Sequence, residues 1–193
     1  MKLAPGFLVL YAVAQAVAGQ SLSPRETMLA DTHHRQLSAL FKEPVVLPTD
    51  DIGREVYRLT ARPTFLKPIS IRIEKRGTRY AVLAKRLSGA GGYDPGRLQR
   101  QTTRTLKPDE WDRLLALLDA AGFWTLPFDD PEDTPDEQGN ERICLDGSRW
   151  TIEGVRLGQY HAVSRYCSEA LRFNAVVYYI ASLSGLGLNR EDL

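Results

Sequence analysis

Hydrophobic and polar positions along this 193-residue chain change their period several times, and the changes mark its elements. Met1-Lys2 opens a run from Leu3 to Val17 that is almost wholly apolar or small, and Ala16-Val17-Ala18 follows with small side chains. A short positive start, an apolar stretch and a small-x-small site make the pattern of a cleavable signal peptide. The run falls short of the roughly 20 apolar residues that a spanning helix needs, and Pro5, Gly6 and Gln15 interrupt it. Cleavage is expected after Ala18, with no stable membrane span left afterwards. No Arg-Arg pair and no cysteine accompany the site, so neither twin-arginine export nor a lipid anchor is expected.

Ser23-Pro24-Arg25-Glu26 then reads as a helix start, with Ser23 as cap and Glu26 closing a capping box. Met28, Leu29, Leu37, Leu40 and Phe41 form a patchy apolar stripe, which predicts a loosely held helix. Pro44, Pro48 and Asp50-Asp51 read as a linker. Glu55 to Ala61 alternates as a strand. Ile69, Ile71 and Ile73 alternate with Ser70, Arg72 and Glu74, a period of two that marks a strand with one buried face. Arg76-Gly77-Thr78 turns the chain into a third strand, Arg79 to Ser88. Arg97 to Leu106 is polar on both faces, which suits an edge. Pro108 opens a helix with Asp109 and Glu110 at its positive end, and Trp111, Leu114, Leu115 and Leu118 share one face. Gly122 ends it. Residues 129–141 form an acidic loop without periodicity. Arg149 to Val155 and Gln159 to Tyr166 read as a hairpin turning at Arg156-Leu157-Gly158, and a last apolar helix runs from about Glu169 to Leu183.

This order predicts an α+β fold: a mostly antiparallel sheet of about six strands, two helices on one face, and a further helix at the mature N-terminus. Residues 1–18 are the leader, 19–52 the N-terminal helix and linker, and 53–188 a single domain. Export also changes the reading of the two cysteines. In an oxidising compartment Cys144 and Cys167 are expected to form a disulfide, because the hairpin turn brings position 144 back toward position 167. Closing such a loop is worth roughly 3 kcal/mol in the chain-entropy model.

Charge separates strongly along the sequence. Arg54 to Lys107 holds 14 basic and 3 acidic residues, whereas Pro108 to Gly147 holds 12 acidic and 2 basic. A sheet face bearing Arg72, Lys85, Arg100 and Arg104 could attract an anionic partner. In an exported protein that partner is an envelope glycan, a lipid or an acidic protein rather than nucleic acid. The alternative is that the acidic loop folds over the basic sheet and cancels its field. Gly91-Gly92-Tyr93-Asp94-Pro95-Gly96 is either a tight turn with Tyr93 covering the core or a loop that contacts ligand. It lacks the Gly-Lys-Ser/Thr of a phosphate loop. On the hairpin, Glu153 falls near His161, with Arg165 beyond. These three could serve an acid–base reaction or simply pair across strands. No nucleophile or oxyanion group accompanies them. The acidic loop does not fit calcium-loop spacing, and adjacent His33-His34 point apart, so no metal or other cofactor is expected.

Three strings taken together resemble a family of uncharacterised exported bacterial proteins. They are the Gly91–Gly96 loop, Glu110-Trp111 leading to Phe123-Trp124-Thr125-Leu126-Pro127, and Asp146-Gly147-Ser148-x-Trp150-x-x-Glu153-Gly154 with Tyr160-His161-x-Val163-x-Arg165. The resemblance spans roughly Gly53 to Leu186. It implies export and a shared α+β domain, and it carries no activity, cofactor or catalytic residue. The leading expectation is a non-enzymatic binding module for an anionic envelope component or protein, using Arg72, Arg100, Arg104, Tyr93 and Asp94. The rival is a small hydrolase or transferase using Glu153, His161 and Arg165, and a third possibility is a purely structural domain. Oligomeric state is not readable from the sequence.

Overall fold

The computed structural model describes residues 23–46, 53–129, 146–167 and 170–193. The leader, Cys144 and nearly all of the acidic loop lie outside them. Six strands form one antiparallel sheet: β1 (Arg54–Pro63), β2 (Ile69–Arg76), β3 (Arg79–Leu87), β4 (Leu98–Thr105), β5 (Ser148–Arg156) and β6 (Gln159–Tyr166). Their spatial order is β4-β3-β2-β1-β5-β6, so the polar strand β4 stands at an edge. Four helices accompany the sheet: α1 (Pro24–Ala30), α2 (Thr32–Phe41), α3 (Pro108–Ala120) and α4 (Leu171–Leu183).

The main core follows from the alternation. Tyr57, Leu59 and Ala61 of β1, Ile69, Ile71 and Ile73 of β2, and Ile152 and Val163 beyond them all point to one face. Trp111, Leu114 and Leu118 of α3 and Phe173, Val176, Val177 and Ile180 of α4 cover that face. Each large apolar side chain so buried contributes about 1.5–3 kcal/mol. Gly154 is needed at the centre of this packing. A Cβ there would lie 2.8 Å from the Phe123 ring and 3.0 Å from Tyr57, so only glycine lets the aromatic turn after α3 seat against β5.

Edge strand β4 has a second task. The last carbonyls of a helix lack partners within it, and β4 supplies them to α4. Thr102 Oγ1 donates to the Ser184 carbonyl at 2.5 Å, and Arg104 Nε donates to that of Leu183 at 2.9 Å. Arg100 reaches the Leu186 carbonyl at 3.2 Å. Positive charge at this end also meets the negative end of the helix dipole. Arg104 spans to α3 as well, donating to Glu110 Oε1 at 2.6 Å.

The opposite face of the sheet is covered too, by residues 23–46. Leu37 and Phe41 of α2 pack on Leu87, and Val46 packs on Val56 and Val155. Asp31 separates α1 from α2 and caps α2, accepting from the His33 and His34 amides. As a result β1 is buried on both sides. Central strands β1 and β5 thus differ from the pattern of one buried face expected for Ile69 to Glu74. Their polar positions, Arg58, Thr60, Thr151 and Glu153, are buried as well.

The hairpin between β5 and β6 turns on two residues, Leu157 (φ 50°) and Gly158 (φ 75°). Both take the left-handed backbone that matches strand twist in a two-residue hairpin turn. This fixes the register with Arg156 opposite Gln159, Glu153 opposite Ala162 and Gly154 opposite His161.

Candidate functional site

That register separates the residues of the acid–base reading. Side chains one position apart in a strand point to opposite faces, so Glu153 lies on the α1–α2 face while His161 and Arg165 join Trp150 and Ile152 on the α3–α4 face. His161 Nε2 lies 3.0 Å from the Leu126 carbonyl, and its ring packs edge-on against Phe123. Burial pushes its pKa down, against the pull of that carbonyl. Arg165 donates to the carbonyls of Pro127 and Phe128 at 3.2 and 2.9 Å. Both residues hold the segment after α3 in place. Tyr160 and Tyr166 stand on the face of Glu153.

Glu153 has a different set of partners. Arg58 of β1 is its direct cross-strand neighbour, and both side chains are 1% exposed. Arg58 Nε donates to Glu153 Oε2 at 2.7 Å, and the Tyr160 hydroxyl donates to Oε1 at 3.0 Å. The Arg58 guanidinium also donates to the Pro44 carbonyl at 2.9 Å and lies 3.2 Å from His34 Nε2. A nitrogen that accepts from a guanidinium must be unprotonated. Consistently, desolvation holds the His34 pKa below its ordinary value, with Arg58 adding to the effect and Glu153 and Asp31 opposing it. Burial beside Glu153 also raises the Tyr160 hydroxyl, which therefore stays a donor. A cleft of about 240 Å³ opens above this cluster, walled by Met28, Leu29, Val45 and Val46. Glu153 and Tyr160 on its floor are committed to neighbours, and the cluster acts as a buried clasp between the sheet and α2.

The clasp has a pH signature. His34 and His161 both bind a proton more weakly in the folded chain than unfolded, where the value is near 6.5. Their contribution to stability is complete above that value and is lost as pH falls through it toward the folded values. Thermal unfolding followed by circular dichroism should show Tm falling as pH drops from about 7 to about 5. The paired substitutions His34→Gln and His161→Gln should flatten that part of the profile.

The basic sheet face divides in the same way. Arg72 lies on the α1–α2 face, whereas Arg100 and Arg104 lie on the other. Arg72 pairs with Glu43 at 3.0 Å and Glu74 at 2.8 Å, and Lys85 pairs with Glu43 and donates to the carbonyls of Phe41 and Lys42. Arg100 and Arg104 are engaged at the end of α4, as described above. These basic positions therefore serve the fold, and among the described residues Glu43 is the carboxylate that Arg72 and Lys85 share, while the acidic loop of the alternative reading lies almost wholly outside the described residues.

Two other arginines are placed differently. Arg62 at the end of β1 and Arg149 at the start of β5 are direct cross-strand partners. Like charges in that relation repel. Among the described residues Arg62 forms no ion pair within 4 Å. Burial lowers its pKa and Arg149 lowers it further, while Asp31 opposes them. Arg149 donates to Ser164 Oγ at 3.2 Å, reaches Asp129 at 3.5 Å and lies over the Tyr166 ring. The pair lines a polar pocket of about 270 Å³, closed by His33 of α2, Pro63, Thr64, Gly91, Gly92 and Tyr166. Two half-satisfied guanidinium groups and an imidazole at one concave site form an arrangement that an anion would stabilise.

The sequence reading passed over Arg62 and Arg149. Nothing in their spacing distinguishes them from the thirteen other basic residues between positions 54 and 107 or from their neighbours in the hairpin. Only the β1–β5 pairing makes them a pair. The glycine loop was singled out, and the structure brings its Gly91 and Gly92 to the pocket wall. Tyr93 does not cover the core. It is 76% exposed. Among the described residues no cluster of three or more histidine, cysteine or acidic side chains could hold a metal, and no helix is long and apolar enough to cross a membrane. In comparisons with known proteins, no family model matches the chain and no curated protein matches it.

Proposed function

We propose that the protein is an exported, non-enzymatic binding domain for an anionic envelope component, and that Arg62 and Arg149 hold the anionic group. The observation that carries this reading is the apposition of the two arginines in a concave pocket, with no carboxylate among the described residues paired to Arg62. The resemblance to uncharacterised exported proteins and the leader-like first 18 residues agree with it. Residues 23–46 then belong to the mature chain as its N-terminal helical segment. A Cys144–Cys167 disulfide fits the same compartment. Its support is that the Cys167 amide donates to the Ser148 carbonyl at 3.1 Å, and Ser148 follows Cys144 closely in sequence. The hydrolase or transferase reading has less support, since the sheet stands between Glu153 and His161.

Binding to dextran sulfate, a generic anionic polymer, tests the site by fluorescence titration at low and high salt. Arg62→Glu and Arg149→Glu should each weaken binding at least about tenfold, as loss of one charge-assisted hydrogen bond does. Arg113→Glu, on α3 across the sheet, should leave it unchanged. Equal binding by all three variants would overturn the assignment.

A further inference from the structure

We infer that the ligand of this pocket is an acidic sugar, recognised through its ring as well as its charge. The inference rests on the anion-binding reading above and adds the chemical class. Its basis is the surface directly beside the arginines. Phe65 and Tyr93 are 56% and 76% exposed, and their rings stack with centroids 5.6 Å apart and planes 19° apart. Leu66 next to them is exposed as well. Apolar side chains gathered at the surface beside a polar pocket mark a contact site more often than isolated ones do.

The platform and the pocket share one wall. Phe65 follows the pocket residues Pro63 and Thr64, and Tyr93 follows the pocket residues Gly91 and Gly92. Backbone hydrogen bonds fasten the two strips together: Gly91 N–H donates to the Leu66 carbonyl at 2.9 Å and Gly92 N–H to that of Thr64 at 3.0 Å. Thr64 is itself held to the Gly147 carbonyl by its amide and its hydroxyl. The glycines are required for this seat. A Cβ on Gly91 would lie 2.4 Å from the Pro63 carbonyl oxygen, and one on Gly92 would lie 2.9 Å from that of Thr64. Any other residue would lift the loop off the wall and move Tyr93 away from Phe65.

The chemistry of such a surface is specific. A flat, exposed aromatic face suits the C–H face of a pyranose, which is apolar, while hydroxyls project around its rim. Asp94 follows Tyr93 in the same loop and is exposed. Its Oδ1 accepts from the Gly96 amide at 2.9 Å, which fixes the carboxylate, and its exposed side can accept from sugar hydroxyls. The concave pocket, about 270 Å³, holds one small charged group rather than a run of headgroups. Tyr93 and Asp94 thus become ligand contacts, with the anion placed on Arg62 and Arg149 instead of on Arg72, Arg100 and Arg104.

Isothermal titration of the purified chain tests this with five probes: tri-galacturonate and glucose 1-phosphate as acidic sugars, maltotriose as a neutral sugar, inorganic phosphate as a bare anion, and phosphatidylglycerol vesicles. At least one acidic sugar should bind at least tenfold more tightly than either maltotriose or phosphate. Tyr93→Ala should weaken it by about tenfold, the size expected of one stacking contact, and Arg62→Glu should reduce it to the level of maltotriose. If phosphate binds as tightly as the acidic sugars and Tyr93→Ala changes nothing, the sugar inference fails and the anion reading stands. Preferred binding to vesicles has the same meaning. If no anionic probe binds, or Arg62→Glu has no effect, both readings fall. Circular dichroism on each variant separates loss of binding from loss of fold.

Discussion

Glu153→Ala is expected to destabilise the domain by about 3–5 kcal/mol, because it leaves the Arg58 guanidinium buried without its counter-charge. For a chain of this size that is a fall in Tm on the order of 10 °C. Arg58 cannot relax into water, since β2, β5 and residues 34–44 surround it on all sides. Tyr160 loses its acceptor at the same time. The expectation is sharper in a double-mutant cycle. Arg58→Met combined with Glu153→Leu removes both charges and should recover much of the loss, as replacement of a whole buried pair often does. Urea unfolding of the four chains measures the coupling. A single Glu153→Ala within 1 kcal/mol of the parent would mean that water reaches the pair and the clasp is not closed.

The second large effect lies on the other side of the sheet. Trp111→Ala should cost about 3–5 kcal/mol through lost burial and the cavity that remains. Trp111 is 1% exposed and packs between the rings of Tyr57 and Tyr80. Its buried indole N–H finds no acceptor among the described residues. Trp111→Phe keeps an aromatic ring there and removes that unpaired donor, so it should cost clearly less. A Phe variant as unstable as the Ala variant would show that indole shape rather than burial decides the packing. The same denaturant series reads both.

The two predictions also show where the residues speak for themselves and where they do not. Trp111, Leu114 and Leu118 announce a helix face because a period of 3.6 leaves a stripe that only burial explains. Ile69, Ile71 and Ile73 do the same with a period of two. Arg97 to Leu106 is readable as an edge for want of apolar residues. Arg58 and Glu153 give no such signal. Charged residues in a strand read as solvent-facing, and only the β1–β5 pairing shows that they neutralise each other beneath α2. The hairpin misled for a narrower reason. With a two-residue turn at Leu157-Gly158, Glu153 meets Ala162, and a shift of one position sends His161 to the opposite face. The Arg62–Arg149 pocket depends on the same strand pairing, so no local pattern could have displayed it. Tyr93 was marked by its glycines, but its exposure follows from Phe65, 28 positions earlier in the chain, and is invisible locally.

The clasp at Arg58 finally bears on how the chain reaches this state. Arg58 and Glu153 are 95 residues apart, and His34 precedes both. In synthesis from the N-terminus, α2 and β1 emerge long before the strands that complete their docking surface. Leu37, Phe41 and Glu43 can dock on β2 and β3 as soon as those strands exist, but until β5 arrives Arg58 has no counter-charge and the clasp stays open. Pairings so distant in sequence slow folding. They also mean that in a nascent chain stopped before residue 148 the Arg58 charge is left without the carboxylate that neutralises it.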